Sequence, residues 1–185
     1  MSQKQRGLWF RAWLPTLIWL GVIACESTSV ASAHNTGRVL GAVLRLFYPH
    51  LTWLQLYNAN FVLRKSGHFL GYGILSVGAY RTWWTSWVLS WRHNLTRLPA
   101  WWTTMRLWLG RAACLALLTA AAVAGLDEWH QTMLPGRTGT IKDVALDSAA
   151  ALCAQLLILA ISSRELVVRS RRQRRTSAES AFNET

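Results

Sequence analysis

The acids come late in this sequence and together. No Asp or Glu occurs from Ser27 to Leu126. Asp127, Glu128, Asp143 and Asp147 then follow within one stretch, half of the chain's eight acids. Carboxylates grouped this way suit acid–base work when one is held neutral beside an ionised neighbour. With His68 and His130 they could also offer oxygen and nitrogen ligands to a divalent ion. No HExxH-like spacing indicates such an ion, so no metal ligand is assigned and the cofactor stays open. The sequence contains neither a GxSxG nucleophile elbow nor a phosphate-binding P-loop.

The matching cations lie in "RKSGHFLGY", residues 64–72. Lys65 and His68 are three apart and Tyr72 is four beyond His68, so all three share a helix face. Gln131 falls one turn after Asp127, and Asp143 and Asp147 are likewise one turn apart. Gly67 and Gly71 form a small-xxx-small pair that predicts close helix approach. Arg137 sits in the turn "LPGRTGT", punctuated by Pro135, Gly136 and Gly139. It suits either a bidentate hold on a phosphate or carboxylate, or a pair with Asp143. Asp127, Glu128, Asp143 and His68 are therefore the candidate catalytic acids and bases. Lys65, Tyr72, Gln131, Arg137 and Asp147 are the candidate ligand-binding groups. The rival account is an ion-pair network that only clips helices together, although buried pairs are often poor stabilisers compared with apolar packing.

Composition says what must carry these groups. The chain has 185 residues, 52% hydrophobic and 15% charged, with a formal net charge of +12. A soluble domain is about 25% charged. A basic chain could bind nucleic acid, but this apolar content argues against it. Arginines gathered at one water interface of a membrane protein account for both properties. Cys25, Cys114 and Cys153 show no zinc or disulfide spacing and are expected as small buried fillers.

A bilayer core of about 30 Å needs about 20 apolar residues as helix. Four segments approach this: 8–25, 61–80, 107–126 and 143–163. The expected fold is all-α, an integral membrane bundle of about four transmembrane helices. Lys4, Arg6 and Arg11 precede the first span. Arg81, Arg92, Arg97, Arg106 and Arg111 separate the second and third. Arg164 and the run Arg169 to Arg175 follow the fourth. An even number of spans puts all three groups on one side, which the positive-inside rule makes the cytoplasm, with both termini there. The stretch 127–143 then faces outward. Trp83, Trp84, Trp87, Trp91, Trp101, Trp102 and Trp108 flank the second inner loop and are expected as an aromatic belt. In the first outer loop, segment 35–60 predicts two short interfacial helices divided at Pro49, lying over the outer ends like a lid. The division is a transmembrane domain over 8–163 and a basic, disordered cytoplasmic tail over 164–185. "VIAC" before Glu26 and "ASA" at 31–33 resemble cleavage sites; a retained first span is the preferred expectation.

"KSGHFLGYG" (65–73) followed by "LDEWHQTMLPGRTGTIKDVALD" (126–147) resembles the VanZ-like family of bacterial membrane proteins. The shared pattern is Lys65 and His68 before Tyr72, then Asp127, Glu128, Gln131, Pro135, Gly136, Arg137 and Asp143, within a resemblance spanning roughly residues 13–161. The chain departs at Asp147, where the family usually has Asn, and at Ala150 and Ala154, where it favours glycine. The resemblance implies a small multi-span protein of the bacterial cytoplasmic membrane, in a family named for an accessory of glycopeptide resistance, teicoplanin in particular. It supplies a setting in the cell envelope and no reaction. The expected function is to bind or modify an anionic membrane lipid or lipid-linked glycan at an outer polar site. The alternatives are a non-catalytic lipid transporter or scramblase, or a structural membrane partner.

Overall fold

Pro49 and the residues after it decide where one helix stops and the next begins. Proline cannot continue the preceding helix. Three residues on, Thr52 and Gln55 form a reciprocal capping box: the Thr52 amide donates to Gln55 Oε1 at 2.9 Å and the Gln55 amide to Thr52 Oγ1 at 3.3 Å. The computed structural model describes residues 3–91, 101–135 and 137–183; side chains at 4, 89–91, 101–108 and 165–183 are outside that description. Its helices are α1 Gln3–Glu26, α2 Ala33–Phe47, α3 Trp53–Trp91, α4 Trp101–Thr132 and α5 Ile141–Asn183, with a 3₁₀ turn Ser29–Ala31 after α1. No strand occurs among the described residues, so the fold is all-α as expected.

Among the described residues, three segments are long and apolar enough to cross a membrane: Gln5–Glu26, Leu109–Thr132 and Ile141–Arg164. The fourth expected span, 61–80, does not join them by composition, because Arg64, Lys65, His68 and several Gly, Ser and Tyr residues dilute it. It is the middle of α3, which at 39 residues is about 58 Å long. α3 is also the hub, packing against α1, α2, α4 and α5.

Side-chain bonds fix the directions. Lys65 meets Asp143, His68 meets Asp147 and Ser76 meets Gln155, at sequence separations of 78, 79 and 79. A constant separation means α3 and α5 run parallel, with α4 returning between them. α1 runs antiparallel to α3: Trp13 Nε1 donates to Ser86 Oγ at 3.1 Å, the Thr16 and Thr82 hydroxyls are 2.9 Å apart, and Trp19 Nε1 donates to the Gly71 carbonyl at 2.8 Å.

The core is made of small residues. Ala112, Ala116, Ala120 and Ala124 recur every fourth position on α4 and are all fully enclosed. Tyr72, Leu75 and Ala79 of α3 and Ala150 and Ala151 of α5 pack with that stripe or beside it. Such stripes let backbones approach closely where lipid removes the hydrophobic drive between helices. The outward faces are apolar instead: Leu17, Ile18, Leu118, Leu156 and Leu157 are half exposed or more.

Several expectations change. Residues 51–57 do not form a separate short helix; they belong to the α2–α3 connection and the first turns of α3, because the capping box starts a helix that no later breaker stops. A Cβ at Gly67 or Gly71 would meet nothing within 4 Å, so neither glycine is needed for close approach on that face; the tight approaches are at Gly37, Gly41, Gly78 and Gly139. All three cysteines are exposed rather than buried, because they fall on outward faces of α1, α4 and α5. Trp83 is part of the bundle, its Nε1 donating to Thr119 Oγ1 at 3.1 Å. α5 runs on to Asn183, through most of the stretch 164–185; Arg, Glu, Gln and Ala there are strong helix formers. Arg92, Arg97 and Gly136, and the side chains of Lys4, Trp91, Trp101, Trp102, Arg106, Trp108 and the arginines from Arg169 onward, lie outside the described residues.

Candidate functional site

The site is the polar end of the small-residue core. Glu128 takes the next position in the Ala112–Ala124 series on α4, and Asp147 lies one turn before Ala151 on α5. The face spacing that packs alanines therefore carries carboxylates inward at one end. Polar groups at such depth must turn inward and find partners.

Three cross-helix contacts form a ladder from α3. Lys65 Nζ is ion-paired with Asp143 Oδ1. His68 Nδ1 lies 3.2 Å from Asp147 Oδ2, and Asp147 is fully enclosed. Tyr72 donates its hydroxyl to Asp127 Oδ2 at 3.0 Å, and Gln131 Nε2 donates to the same oxygen at 3.2 Å. Lys65, His68, Tyr72, Asp127, Gln131, Asp143 and Asp147 thus come together as the sequence spacing predicts.

Glu128 has a different partner from the one its charge suggests. It is 4% exposed, and its Oε2 accepts the backbone amide of Thr140 at 2.7 Å. Thr140 in turn caps α5, its Oγ1 accepting the Asp143 amide at 3.2 Å. The end of α4 is thereby tied to the start of α5. Gly139 makes this closure fit: a Cβ there would collide with the Glu128 carbonyl oxygen and lie 2.7 Å from Thr132 Cγ2.

Arg137 also departs from expectation. Its guanidinium does not pair with Asp143, nor does it point outward for an anion. It is 9% exposed and donates to the carbonyls of Glu26 and Thr28, the latter from Nη2 at 2.7 Å and from Nε at 3.2 Å. The last carbonyls of α1 have no helical partner, and a cation fits that negative helix end. Burial, and next the nearby Arg64, lower the pKa of Arg137 from its ordinary value. His130 is exposed and touches Ser27 Oγ through Nδ1 at 3.0 Å, apart from the acids.

Above the ladder lies a groove of about 710 Å³ between α2 and α3. Arg38, Arg45, Arg64 and Lys65 line it beside Trp53 and Phe61, and its floor reaches His68 and Asp143. α2 closes on α3 at Gly37 and Gly41, where a Cβ would press on Asn60 at 3.2 Å and Leu56 at 3.0 Å. Val39, Val43, Leu46 and Phe47 of α2 face outward, exposed. A second cavity of about 20 Å³, bordered by His68, Tyr72, Asp127 and Gln131, has room for about one water.

Sequence reasoning missed Thr140, Gln155 and Arg64. Gln155 was detectable, since Asp143, Asp147, Ala151 and Gln155 share one α5 face at four-residue spacing; it bonds Ser76 Oγ at 2.7 Å. Thr140 holds Glu128 through its backbone amide, which leaves no side-chain signal, whereas its capping of α5 was readable from the Thr140–Asp143 spacing. Arg64 looked like an ordinary flanking charge, yet its Nη1 is buried without a hydrogen-bond partner.

Fold and site together define a helical membrane protein with an ionisable cluster enclosed at one end of an alanine-packed bundle. The VanZ/LLP1 family profile matches residues 12–162, most of the chain, and the protein belongs to that family. Comparison with curated proteins and with solved structures returns no match in either.

Proposed function

We propose that this VanZ/LLP1 member is a four-span protein of the bacterial cytoplasmic membrane, with both termini in the cytoplasm, that binds an anionic lipid or lipid-linked envelope glycan at its outer face. The observation that carries this is the groove between α2 and α3. Arginine donors at Arg38, Arg45 and Arg64 suit phosphate or carboxylate oxygens. The adjoining exposed apolar faces of α2 and of the start of α3 suit an acyl chain. An amphiphile has both parts. The carboxylates below, Asp127, Glu128 and Asp143 with His68, would act on the bound headgroup as acids or bases if it is modified. A change in envelope display, and with it in teicoplanin susceptibility, is the downstream effect that the family membership suggests.

A second reading is a structural clip without a ligand. The ladder favours it in part, because Lys65 and Tyr72 already have carboxylate partners. It leaves the unpartnered Arg64 nitrogen and the basic groove without a role.

Native mass spectrometry of the detergent-purified chain separates the two. The expected result is co-purified anionic lipid on the wild type, reduced at least ~10-fold by combined Arg38→Gln and Arg64→Gln changes, in line with losing two charge-assisted contacts. Wild-type protein free of anionic lipid would remove the proposal. Lipid and glycolipid profiles of a strain lacking the protein then tell modification from transport: altered covalent structure against altered leaflet distribution.

A further inference from the structure

The geometry points to a divalent metal ion held by His68, Glu128 and Asp147, three residues from three helices. No motif in the sequence joins them; folding does. One ligand atom from each lies within 4.8 Å of the others. Metal–ligand bonds of about 2.0–2.1 Å place neighbouring ligands about 3.3 Å apart, so modest side-chain movement closes the set.

The second observation concerns unpartnered oxygens. Glu128 is 4% exposed and Asp147 fully enclosed, and each keeps one buried carboxylate oxygen, Oε1 and Oδ1, without a hydrogen-bond partner. Asp143 and Asp127, the other two acids of the site, have side-chain partners in Lys65 and in Tyr72 and Gln131. A buried carboxylate oxygen left unpaired is costly. One cation satisfies both at once, and nothing else among the described residues does so.

The donor set indicates the ion's class. Two carboxylates and one imidazole suit Zn²⁺, Mn²⁺ or Fe²⁺, whereas Ca²⁺ takes oxygen alone. Thiolate is excluded, because the three cysteines lie on outward helix faces. Three protein ligands leave at least one position open, as in catalytic rather than structural sites. His68 also lines the groove, so the open position is where the proposed headgroup would meet the ion, an extension that rests on the proposed function.

The test uses the full chain in detergent without added lipid, so its result is independent of lipid binding. Protein stripped with a chelator is titrated with Zn²⁺ and with Mn²⁺. Bound metal is counted by mass spectrometry and melting followed in parallel; Co²⁺ serves as an absorbing probe of nitrogen ligation. Expected are one ion per chain, a wild-type melting temperature that rises with metal, and at least ~100-fold weaker binding in Glu128→Gln and in Asp147→Asn, more than the loss of a merely supporting partner. His68→Gln should alter the Co²⁺ spectrum. No retained ion and no metal-dependent melting in the wild type would overturn the site, whatever the variants do. Binding of equal strength in both carboxylate variants would overturn it too.

Discussion

Adjacent acids on one helix have unlike surroundings, and that difference governs what each substitution does. Asp127 receives two side-chain donors, from Tyr72 and Gln131, on a single oxygen. Tyr72 is 2% exposed and Asp127 half-buried, so Tyr72→Phe removes a donor from a carboxylate that the small adjoining cavity re-solvates only in part. The expected cost is about 1–3 kcal/mol, seen as a lower melting temperature in detergent. Lys65→Met should cost less, about 0–1 kcal/mol, because the Lys65 side chain is 33% exposed and the pair is screened. Equal losses at the two positions would contradict this ordering. The ladder itself was legible in the sequence: spacings of three and four residues on α3 meet a spacing of four on α5. The partner of Arg137 was not, because main-chain carbonyls at the end of α1 carry no residue signature. Cysteine burial was misjudged for a related reason. In a bilayer the outward face is also apolar, so an apolar run does not say which side of a helix a small residue occupies.

Helices meet here through what is absent from their side chains. The alanine stripe of α4 and the tight glycines are where backbones come close, and Gly139 is the closest of these points. It lies between Arg137, which holds the end of α1, and Thr140, which binds Glu128 and caps α5. Gly139→Ala would drive a Cβ into backbone, not into a side chain that can swing aside. The loop must move, and the Thr140–Glu128 bond moves with it. We expect about 2 kcal/mol or more of destabilisation, within the 1–3 kcal/mol usual for overpacking or above it. Gly67→Ala, which meets open space, should be nearly silent. Paired thermal scans of the two variants check this; a silent Gly139→Ala would mean that the closure is looser than described. The sequence marked Gly139 as a turn residue and gave no hint that close approach was the reason. It likewise split segment 35–60 into two short helices, since a break at Pro49 is visible while nothing in the short pattern after it says how far the helix begun at the Thr52–Gln55 box continues.

Across the whole molecule, the distribution of charge bears on the proposed orientation. The start of α1, the end of α3, the start of α4 and the end of α5 share one end of the bundle, as the Trp13–Ser86 and Trp83–Thr119 bonds require. All of the chain's twenty Lys and Arg belong to that end or its connecting segments except Arg38, Arg45, Arg64, Lys65, Arg137 and Lys142. Three of those six are already engaged, Lys65 with Asp143, Arg137 with backbone carbonyls and Arg38 with His34. This bias is what supports the proposed orientation, with the arginine-rich end inside and the acidic cluster outside. Thr138 is exposed on the loop at the acidic end and lines the groove, so it is the natural reporter. In a chain with Cys25, Cys114 and Cys153 replaced by alanine, Thr138→Cys should react with a membrane-impermeant thiol reagent on intact cells. Ser177→Cys, in the C-terminal part of α5, should react only after lysis. The reverse pattern would overturn the proposed topology, through inversion of the protein or through an α3, less apolar than the other long helices, that does not cross. Labelling of both positions on intact cells would mean that α5, which separates them, does not cross.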